Sequence, residues 1–202
     1  MDACGGAIPQ GRVHDVIREE YEPVVIWFTG LPGAGKTTLA RAMQKKLRES
    51  GRMALLLDGD QLRSGVCADL GFSPADRHEN IRRAGQIARL LFEQGAIVLC
   101  AFVSPYRDDR SHVRSLLPAG RFVEVFVDAD VETCRARDPK GLYARARAGG
   151  LDQLTGVSAP YEAPVAPELV VDTTNATVED TAARLTAFLE AGRFVGTAHG
   201  LP

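Results

Sequence analysis

The residues best suited to chemistry stand in one short segment, Gly30-Leu31-Pro32-Gly33-Ala34-Gly35-Lys36-Thr37. The segment matches G-x-x-x-x-G-K-[ST], the pattern of a phosphate-binding loop, at every fixed position. Its glycines allow the backbone to turn tightly and to point successive N–H groups at an anion. Lys36 can place a positive charge on the β- and γ-phosphates of a nucleotide, and the Thr37 hydroxyl is a suitable Mg²⁺ ligand. The pattern predicts that the chain binds a nucleoside triphosphate with Mg²⁺.

The flanking residues supply the structure that such a loop needs. Residues 24–29 are β-branched, aromatic and apolar, which is typical of a buried strand. After the loop, residues 38–47 carry apolar side chains at helical spacing. A helix in this position directs the positive end of its dipole at the bound phosphates. This context favours phosphate binding over the alternative, a chance glycine turn before a helix.

Two carboxylates follow the second predicted strand. Residues 53–57 indicate a buried strand that ends at Asp58-Gly59-Asp60. In open α/β sheets, ligands bind beyond the carboxyl ends of the strands. Asp60 is therefore placed to orient a substrate hydroxyl or to accept its proton, and either carboxylate could hold water on Mg²⁺. The alternative is a polar turn in which an aspartate caps the next short helix.

A long helix is predicted to begin at Ser73-Pro74-Ala75-Asp76, with the serine as N-cap, and to stop before Gly95. Arg77, Arg82 and Arg83 lie in its first turns, where the helix dipole disfavours cations. This conflict indicates a second bound anion. For Arg82 and Arg83 the alternative is a solvated, charged face.

Two further segments follow predicted strands. The third strand, residues 96–103, runs into Ser104-Pro105, which either begins a helix as N-cap and N1 or faces the crevice; the sequence leaves both open. The fourth strand, residues 121–127, leads to a basic, glycine-bounded segment over residues 135–150. Such a segment suits a lid that brings cations to the phosphates and excludes water, and its alternative is a charged surface helix.

The alternation of strands and helices predicts the fold class. A fifth strand over residues 168–171 precedes a helix capped by Thr177, and residues 151–167 suit a binding loop. The order of the predicted strands and helices indicates a three-layer α/β P-loop kinase fold with a central, mainly parallel five-stranded sheet and a lid. We expect a lead-in over residues 1–22, one domain over residues 23–192 and a tail over residues 193–202.

Composition narrows the possible partners. The chain has 202 residues and a formal net charge of −2, which argues against non-specific nucleic-acid binding. It lacks an apolar run long enough for a membrane span and lacks a signal-peptide core. The four cysteines, at positions 4, 67, 100 and 134, form no C-x-x-C pair, and buried free thiols in a reducing cytoplasm are expected.

Several segments in order resemble the adenylylsulfate kinase family. They are residues 30–38, 58–63, 69–73 and 76–83, then Ser104-Pro105-Tyr106-Arg107, residues 137–143 and Tyr161-Glu162-Ala163-Pro164. Other P-loop families share the first segment, but the combination is specific, and the resemblance covers roughly residues 24 to 190. It implies transfer of the γ-phosphoryl group of MgATP to the 3′-hydroxyl of adenylylsulfate.

The resemblance also assigns residues to the two nucleotides. The ATP side is Gly30, Leu31, Pro32, Gly33, Ala34, Gly35, Lys36, Thr37 and Thr38 with Arg137 and Tyr143, and Thr37 is the expected metal ligand. The acceptor side is Asp60, Arg63, Phe72, Arg77, Asn80, Val103, Ser104, Lys140 and Leu154. Phe72 would stack on the adenine, while Arg63 and Arg77 would meet the phosphosulfate. Lys36, Asp60 and Ser104 are the expected catalytic residues, and the family's bacterial members are described as phosphorylated at the serine.

The chain departs from the family at one position, and two rival functions stay open. Leu154 stands where the family usually has phenylalanine, so one face of the adenine stack becomes aliphatic. The resemblance implies a homodimer and a link or fusion to ATP sulfurylase. The rivals are another small-molecule kinase, for nucleoside monophosphates, gluconate or shikimate, and a GTP-binding switch. An Asn-Lys-x-Asp guanine-reading segment is absent from the sequence, which counts against the switch.

Overall fold

The structure, a computed structural model, describes residues 22–191. Within this range one sheet contains five strands, β1 (Val24–Thr29), β2 (Ala54–Asp58), β3 (Ile97–Ala101), β4 (Phe122–Asp128) and β5 (Leu169–Asp172). Their order is β2-β3-β1-β4-β5, and every neighbouring pair is parallel. The predicted five-stranded sheet is confirmed. The expected lead-in, apart from Glu22, and the expected tail lie outside the described residues.

The helices connect the strands and cover both faces of the sheet. They are α1 (Lys36–Glu49), α2 (Gly59–Arg63), α3 (Pro74–Glu93), α4 (Arg107–Ser115), α5 (Val131–Arg137), α6 (Leu142–Arg147) and α7 (Val178–Ala191). Each connection between parallel strands must cross over the sheet, which a helix does with its backbone hydrogen bonds satisfied.

The side chains of β1 show how the three layers arise. Successive residues of a strand point to opposite faces. Val24, Ile26 and Phe28 enter one apolar cluster with residues of α1 and α7, whereas Val25 and Trp27 enter a second with residues of α3 and α4. All five are fully buried. The central strand is therefore apolar from Val24 to Phe28, and its carboxyl end at Thr29 leads into the glycine loop at the middle of the sheet edge.

The helix caps predicted at Ser73 and Thr177 are confirmed, and the structure decides the alternatives that the sequence leaves open for Ser104. The Ser73 hydroxyl accepts from the Asp76 N–H at 3.2 Å, and the Thr177 hydroxyl accepts from the Asp180 N–H at 3.1 Å. Ser104, however, does not cap α4. That helix begins at Arg107, whose N–H donates to the Glu162 carboxylate at 2.8 Å. The cap thus comes from a residue far along the chain.

Two predictions from composition can be compared with the described part of the chain. Cys67, Cys100 and Cys134 are buried free thiols, as expected, and Cys4 lies outside the described residues. Among residues 22–191, the helices are too short or too polar to span a bilayer.

Candidate active site

The glycine loop runs between β1 and α1 and packs closely against α5. Gly33 has a φ of +82°, and a Cβ there would lie 2.9 Å from the carbonyl oxygen of Cys134. A larger residue would both strain the backbone and push the loop away from α5. Gly35 precedes α1 at its N-cap position, and Thr38 lies exposed in the first turn of that helix. The loop therefore lies at the positive end of the α1 dipole, as its sequence predicts.

Lys36 lies inside this loop with its side chain almost fully buried. Its ammonium group donates to the carbonyl oxygens of Gly30 at 2.9 Å and Leu31 at 2.7 Å. Burial lowers its pKa from 10.5 to about 8, while the charges of Asp58 and Asp60 act in the opposite direction. A polyanion in the loop would stabilise the charged form, so the site is matched electrostatically to phosphate.

Thr37 and Asp58 form the part of the site that could hold a cation. The Thr37 hydroxyl donates to Asp58 Oδ2 at 2.7 Å, and Asp58 Oδ1 accepts from the Asp60 N–H at 2.9 Å. Asp58 thus caps α2, as the alternative interpretation held, and also faces the loop. Mg²⁺ prefers oxygen ligands and keeps several waters and phosphate oxygens. Within residues 22–191, no cluster of three or more metal-binding side chains occurs. One hydroxyl beside one carboxylate fits a Mg²⁺ ion that takes only a few of its ligands from the protein.

Asp60 lies at the first turn of α2, beyond the carboxyl end of β2. Its carboxylate pairs with the ammonium group of Lys140, and both side chains are more than half exposed. Lys140 comes from the predicted lid segment, between α5 and α6. The structure therefore brings together a lid cation and the carboxylate that the sequence singles out for chemistry.

The predicted lid segment, residues 135–150, contains the end of α5 and all of α6, and it contacts the phosphate loop directly. The buried Tyr143 donates its hydroxyl to the Pro32 carbonyl at 2.9 Å. Arg137 donates to the Thr173 carbonyl at 2.5 Å, and Thr173 in turn donates its hydroxyl to the Ala34 carbonyl at 2.9 Å. The segment is thus more than a charged surface helix, because Tyr143 contacts the glycine loop directly and Arg137 is connected to it through Thr173.

Phe72 lies beside two arginines at the other side of the site. Its ring is half exposed, and the guanidinium carbons of Arg63 and Arg77 lie 4.4 Å and 5.7 Å from the ring centre. Arg77 also donates to the Phe72 carbonyl at 2.9 Å, to the Thr155 hydroxyl at 2.9 Å and to the Gln153 carbonyl at 2.6 Å. An open aromatic face beside two cations suits a base that carries an anionic group.

The polar side chains at the start of α3 fall into two groups, arginines that pair with acidic residues and a buried asparagine. Arg82 and Arg83 pair with Glu79, and Arg83 also pairs with Asp69, so these two form the charged face of the alternative interpretation. Asn80 differs, because its side chain is buried and its Oδ1 atom has no hydrogen-bond partner. An unpartnered buried acceptor is costly and marks a place where a ligand donor would be favourable.

Ser104 lies at the strand-end turn, where it is 1% exposed. Its hydroxyl accepts from the indole N–H of Trp27 at 3.0 Å, and the preceding Val103 carbonyl accepts from the Thr29 hydroxyl at 2.8 Å. Leu154 is likewise buried, at 4%, within the cluster that contains α1. Val103 is half buried at the crevice, whereas Ser104 and Leu154 offer little surface, so their predicted contacts with substrate stay predictions.

Some residues of the site carry no local sequence signal. Thr155, Tyr161 and Thr173 lie far along the chain from the elements that they contact. The Tyr161 hydroxyl lies 3.0 Å from that of Thr29, and Thr155 reaches Arg77 across 78 positions of sequence. The motif Tyr161-Glu162-Ala163-Pro164 pointed to this region only through the family resemblance.

Comparisons with known proteins agree on one family. The profile of the adenylylsulphate kinase family matches residues 22–172. The adenylyl-sulfate kinase of Geotalea uraniireducens is 51% identical over 173 residues, covering 86% of this chain and 83% of that protein. The bifunctional enzyme NodQ of Azospirillum brasilense is 54% identical over 167 residues, which are 83% of this chain and 27% of NodQ.

A solved structure agrees with these sequence matches. The structure of the Mycobacterium tuberculosis APS kinase in complex with AMPPNP and APS superposes with a TM-score of 0.81 at 42% identity, covering 84% of this chain and 99% of that one. The motifs, the sheet order and these matches agree, and the chain is a phosphotransferase that belongs to the adenylylsulfate kinase family.

Proposed function

We propose that this site carries out the reaction for which the family is named. The γ-phosphoryl group of MgATP is transferred to the 3′-hydroxyl of adenylylsulfate, which gives 3′-phosphoadenylylsulfate and ADP. The observation that carries the proposal is the position of Asp60 and Lys140. Asp58 accepts hydrogen bonds both from the Thr37 hydroxyl of the phosphate loop and from the Asp60 N–H, so Asp60 and its partner Lys140 lie beside that loop. Donor phosphate site and acceptor carboxylate are therefore neighbours.

On the ATP side, the loop backbone and Lys36 bind the phosphates. Thr37 and Asp58 would hold Mg²⁺, which supplies additional positive charge next to the transferring group. Tyr143 and Arg137 close the loop from the lid side through their contacts with Pro32 and Thr173. Most of the rate enhancement then comes from positioning and electrostatic stabilisation, as is general for phosphoryl transfer.

On the acceptor side, Asp60 accepts a hydrogen bond from the 3′-hydroxyl and takes up its proton as the bond to phosphorus forms. The open face of Phe72 stacks on the adenine, with Arg63 and Arg77 beside the phosphosulfate. The unpartnered Asn80 oxygen gains a donor from the ligand. Lys140 exchanges its pairing with Asp60 for contacts to the substrate.

A panel of acceptors tests the proposal. The purified chain is given MgATP with adenylylsulfate, AMP, gluconate or shikimate in turn, and both ADP and the phosphorylated acceptor are quantified. Adenylylsulfate alone should support turnover and give 3′-phosphoadenylylsulfate. Turnover of another acceptor at a higher kcat/KM would overturn the assignment while leaving the phosphate loop in place. A parallel measurement with GTP addresses the nucleotide-switch alternative.

We also propose a homodimer and a functional link to ATP sulfurylase, both from the family resemblance, and a cytoplasmic location, from the scattered free cysteines. The bifunctional nature of NodQ supports the possibility of a physical link for this domain type. Light scattering of the purified chain would measure its mass directly. A monomer at micromolar concentration would refute the dimer and leave the proposed chemistry unaffected.

A further inference from the structure

Arg110 connects three parts of the molecule that surround the acceptor side of the site. It lies on α4 and is 2% exposed. Its Nε donates to Glu124 Oε1 at 2.6 Å, its Nη1 to the Ser104 carbonyl at 2.7 Å and its Nη2 to the Glu162 carbonyl at 2.8 Å. One guanidinium group therefore joins α4 to strand β4, to the strand-end turn and to the loop that precedes β5.

The strand-end turn needs such support because its backbone is strained. Ser104 has a φ of +38°, inside the left-handed region of backbone conformations. Side chains other than glycine rarely adopt this conformation, and it persists only where the surroundings fix it. Arg110 holds the Ser104 carbonyl, Trp27 holds its hydroxyl and Thr29 holds the preceding carbonyl.

The loop before β5 is fixed at the same place. The Glu162 N–H donates to the Pro105 carbonyl at 2.8 Å, and its carboxylate accepts from the Arg107 N–H at 2.8 Å. The other end of the loop, at Gln153 and Thr155, accepts hydrogen bonds from Arg77. Arg110 and Arg77 thus anchor the two ends of one loop, and Leu154 of the acceptor side lies at the end that Arg77 holds, between Gln153 and Thr155.

The chemistry of the Arg110–Glu124 pair favours positioning over stability as its role. Removing two charges from water is costly, and apolar residues of similar volume often stabilise a protein as well or better. What an apolar pair cannot do is aim hydrogen bonds at two separate carbonyl groups. Arginine does so because its planar group presents several N–H donors in a fixed fork.

We propose that Arg110, oriented by Glu124, is a positioning residue for the acceptor nucleotide. It fixes the Ser104 turn and the Glu162 segment as two walls of the acceptor pocket without touching the substrate. This inference rests on the proposed function for its kinetic consequence. Its structural consequence, restraint of residues 161–163, can be measured without any substrate.

The test compares three variants with the parent chain. The double variant Arg110→Met with Glu124→Met removes both charges and leaves neither unpaired, and Arg110→Lys keeps the charge but loses the planar fork. The matched control is Arg114→Met, because Arg114 lies on the same helix, reaches Glu124 at 3.5 Å and pairs with Glu168. Thermal melting, steady-state kinetics and hydrogen exchange of the Glu162 amide are recorded for each.

The expected result separates the two substrates. The double variant should melt near the parent temperature, its KM for adenylylsulfate should rise at least about tenfold, and its KM for MgATP should change less than about twofold. Arg110→Lys should show a smaller rise in the same KM, and the Glu162 amide should exchange faster in both. The control should keep the parent values of both KM terms.

Three outcomes would overturn the inference. One is a folded double variant with the parent KM for adenylylsulfate. Another is a rise in both KM values together with a large fall in melting temperature, which would make Arg110 a purely structural residue. If the double variant does not fold, the same criteria are applied to Arg110→Lys. The third is an unchanged exchange rate at Glu162. Failure of the parent to form 3′-phosphoadenylylsulfate would instead refute the proposed function, and the exchange rates alone would then decide the role of Arg110.

Discussion

Lys36 is buried by the fold and also carries the positive charge that phosphate binding needs. The fold buries its side chain and thereby lowers its pKa to about 8, so the charged form is disfavoured before any phosphate binds. Such a group is expected to contribute little to stability, because the burial of its charge offsets the two hydrogen bonds to the loop. Its value lies in the electrostatic energy that becomes available when a polyanion enters.

Replacing Lys36→Met should therefore separate activity from stability. We expect a fall in kcat of at least about 100-fold, the usual cost of deleting one stabilising group at a transition state. The melting temperature should stay level or rise, because an apolar side chain replaces a desolvated charge. The measurements are ADP release and thermal melting, with the exposed Lys45→Met as control. A variant that unfolds or that keeps parent activity would contradict this view.

The lowered pKa of the Glu79 carboxyl group predicts how the stability of the fold depends on pH. Hydrogen bonds from Arg82 and Arg83 lower its pKa from 4.5 to about 2 in the folded chain. A lowered carboxyl pKa stabilises the fold above the unfolded pKa, and this contribution is lost as pH falls from about 4.5 to about 2. Glu79→Gln should therefore melt at most a few degrees below the parent at pH 7, since the pair is solvent-exposed.

Melting curves of the Glu79→Gln variant and the parent at pH 7, 5 and 3 check this. The difference in melting temperature should shrink as the pH falls below 4.5. A difference that stays constant across the series would show that Glu79 acts through packing and not through its charge. Glu49→Gln is a suitable control, because its ion pair with Lys45 is longer, at 3.8 Å.

At the scale of elements, the loop before β5 is held against the phosphate loop. Gly156 has a φ of +84°, and a Cβ there would lie 2.5 Å from Cδ2 of Leu31. Gly149 provides a matched control, since its φ is +73° but a Cβ there would have no neighbour within 4 Å. The two glycines thus differ in contact while sharing the same kind of backbone strain.

Gly149→Ala should lose about 1–2 kcal/mol of stability from backbone strain alone. Gly156→Ala should lose more, and it should also raise the KM for MgATP severalfold, because Leu31 belongs to the phosphate loop. Chemical unfolding and steady-state kinetics measure the two effects. Equal stability losses with an unchanged KM in both variants would show that the contact between Gly156 and Leu31 has no role in ATP binding.

The same elements show which features the sequence predicts and which features it does not predict. The strands and the glycine loop follow from local patterns, because runs of apolar residues and the spacing of glycines can be seen in neighbouring positions. The Ser73 cap does so as well, because its partner Asp76 lies three residues away. Ser104 has an equally good local pattern for a cap, yet its hydroxyl and carbonyl are held by Trp27 and Arg110. These partners come from another strand and from α4, so a decision between a helix cap and a position at the crevice required tertiary information.

At the scale of the whole molecule, the strand order explains why the site is a composite. With β1 between β3 and β4, the glycine loop opens beside the carboxyl ends of strands that are distant in sequence. Asp58 and Asp60 arrive from β2, Ser104 from β3, and Thr173 from the end of β5. Sequence patterns located Asp58, Asp60 and Ser104 but could not pair them, because the pairings depend on the order of the strands in the sheet.

The central claim is that this arrangement transfers a phosphoryl group to one hydroxyl of one nucleotide. The most direct measurement uses ATP labelled at the γ-phosphate with adenylylsulfate or its 3′-deoxy analogue as acceptor, for the parent and for Asp60→Asn. The parent should label adenylylsulfate and not the analogue. Asp60→Asn should reduce kcat by about 100- to 10,000-fold, the range for loss of a general base. Label on the 3′-deoxy analogue, or a parent rate for Asp60→Asn, would contradict the account.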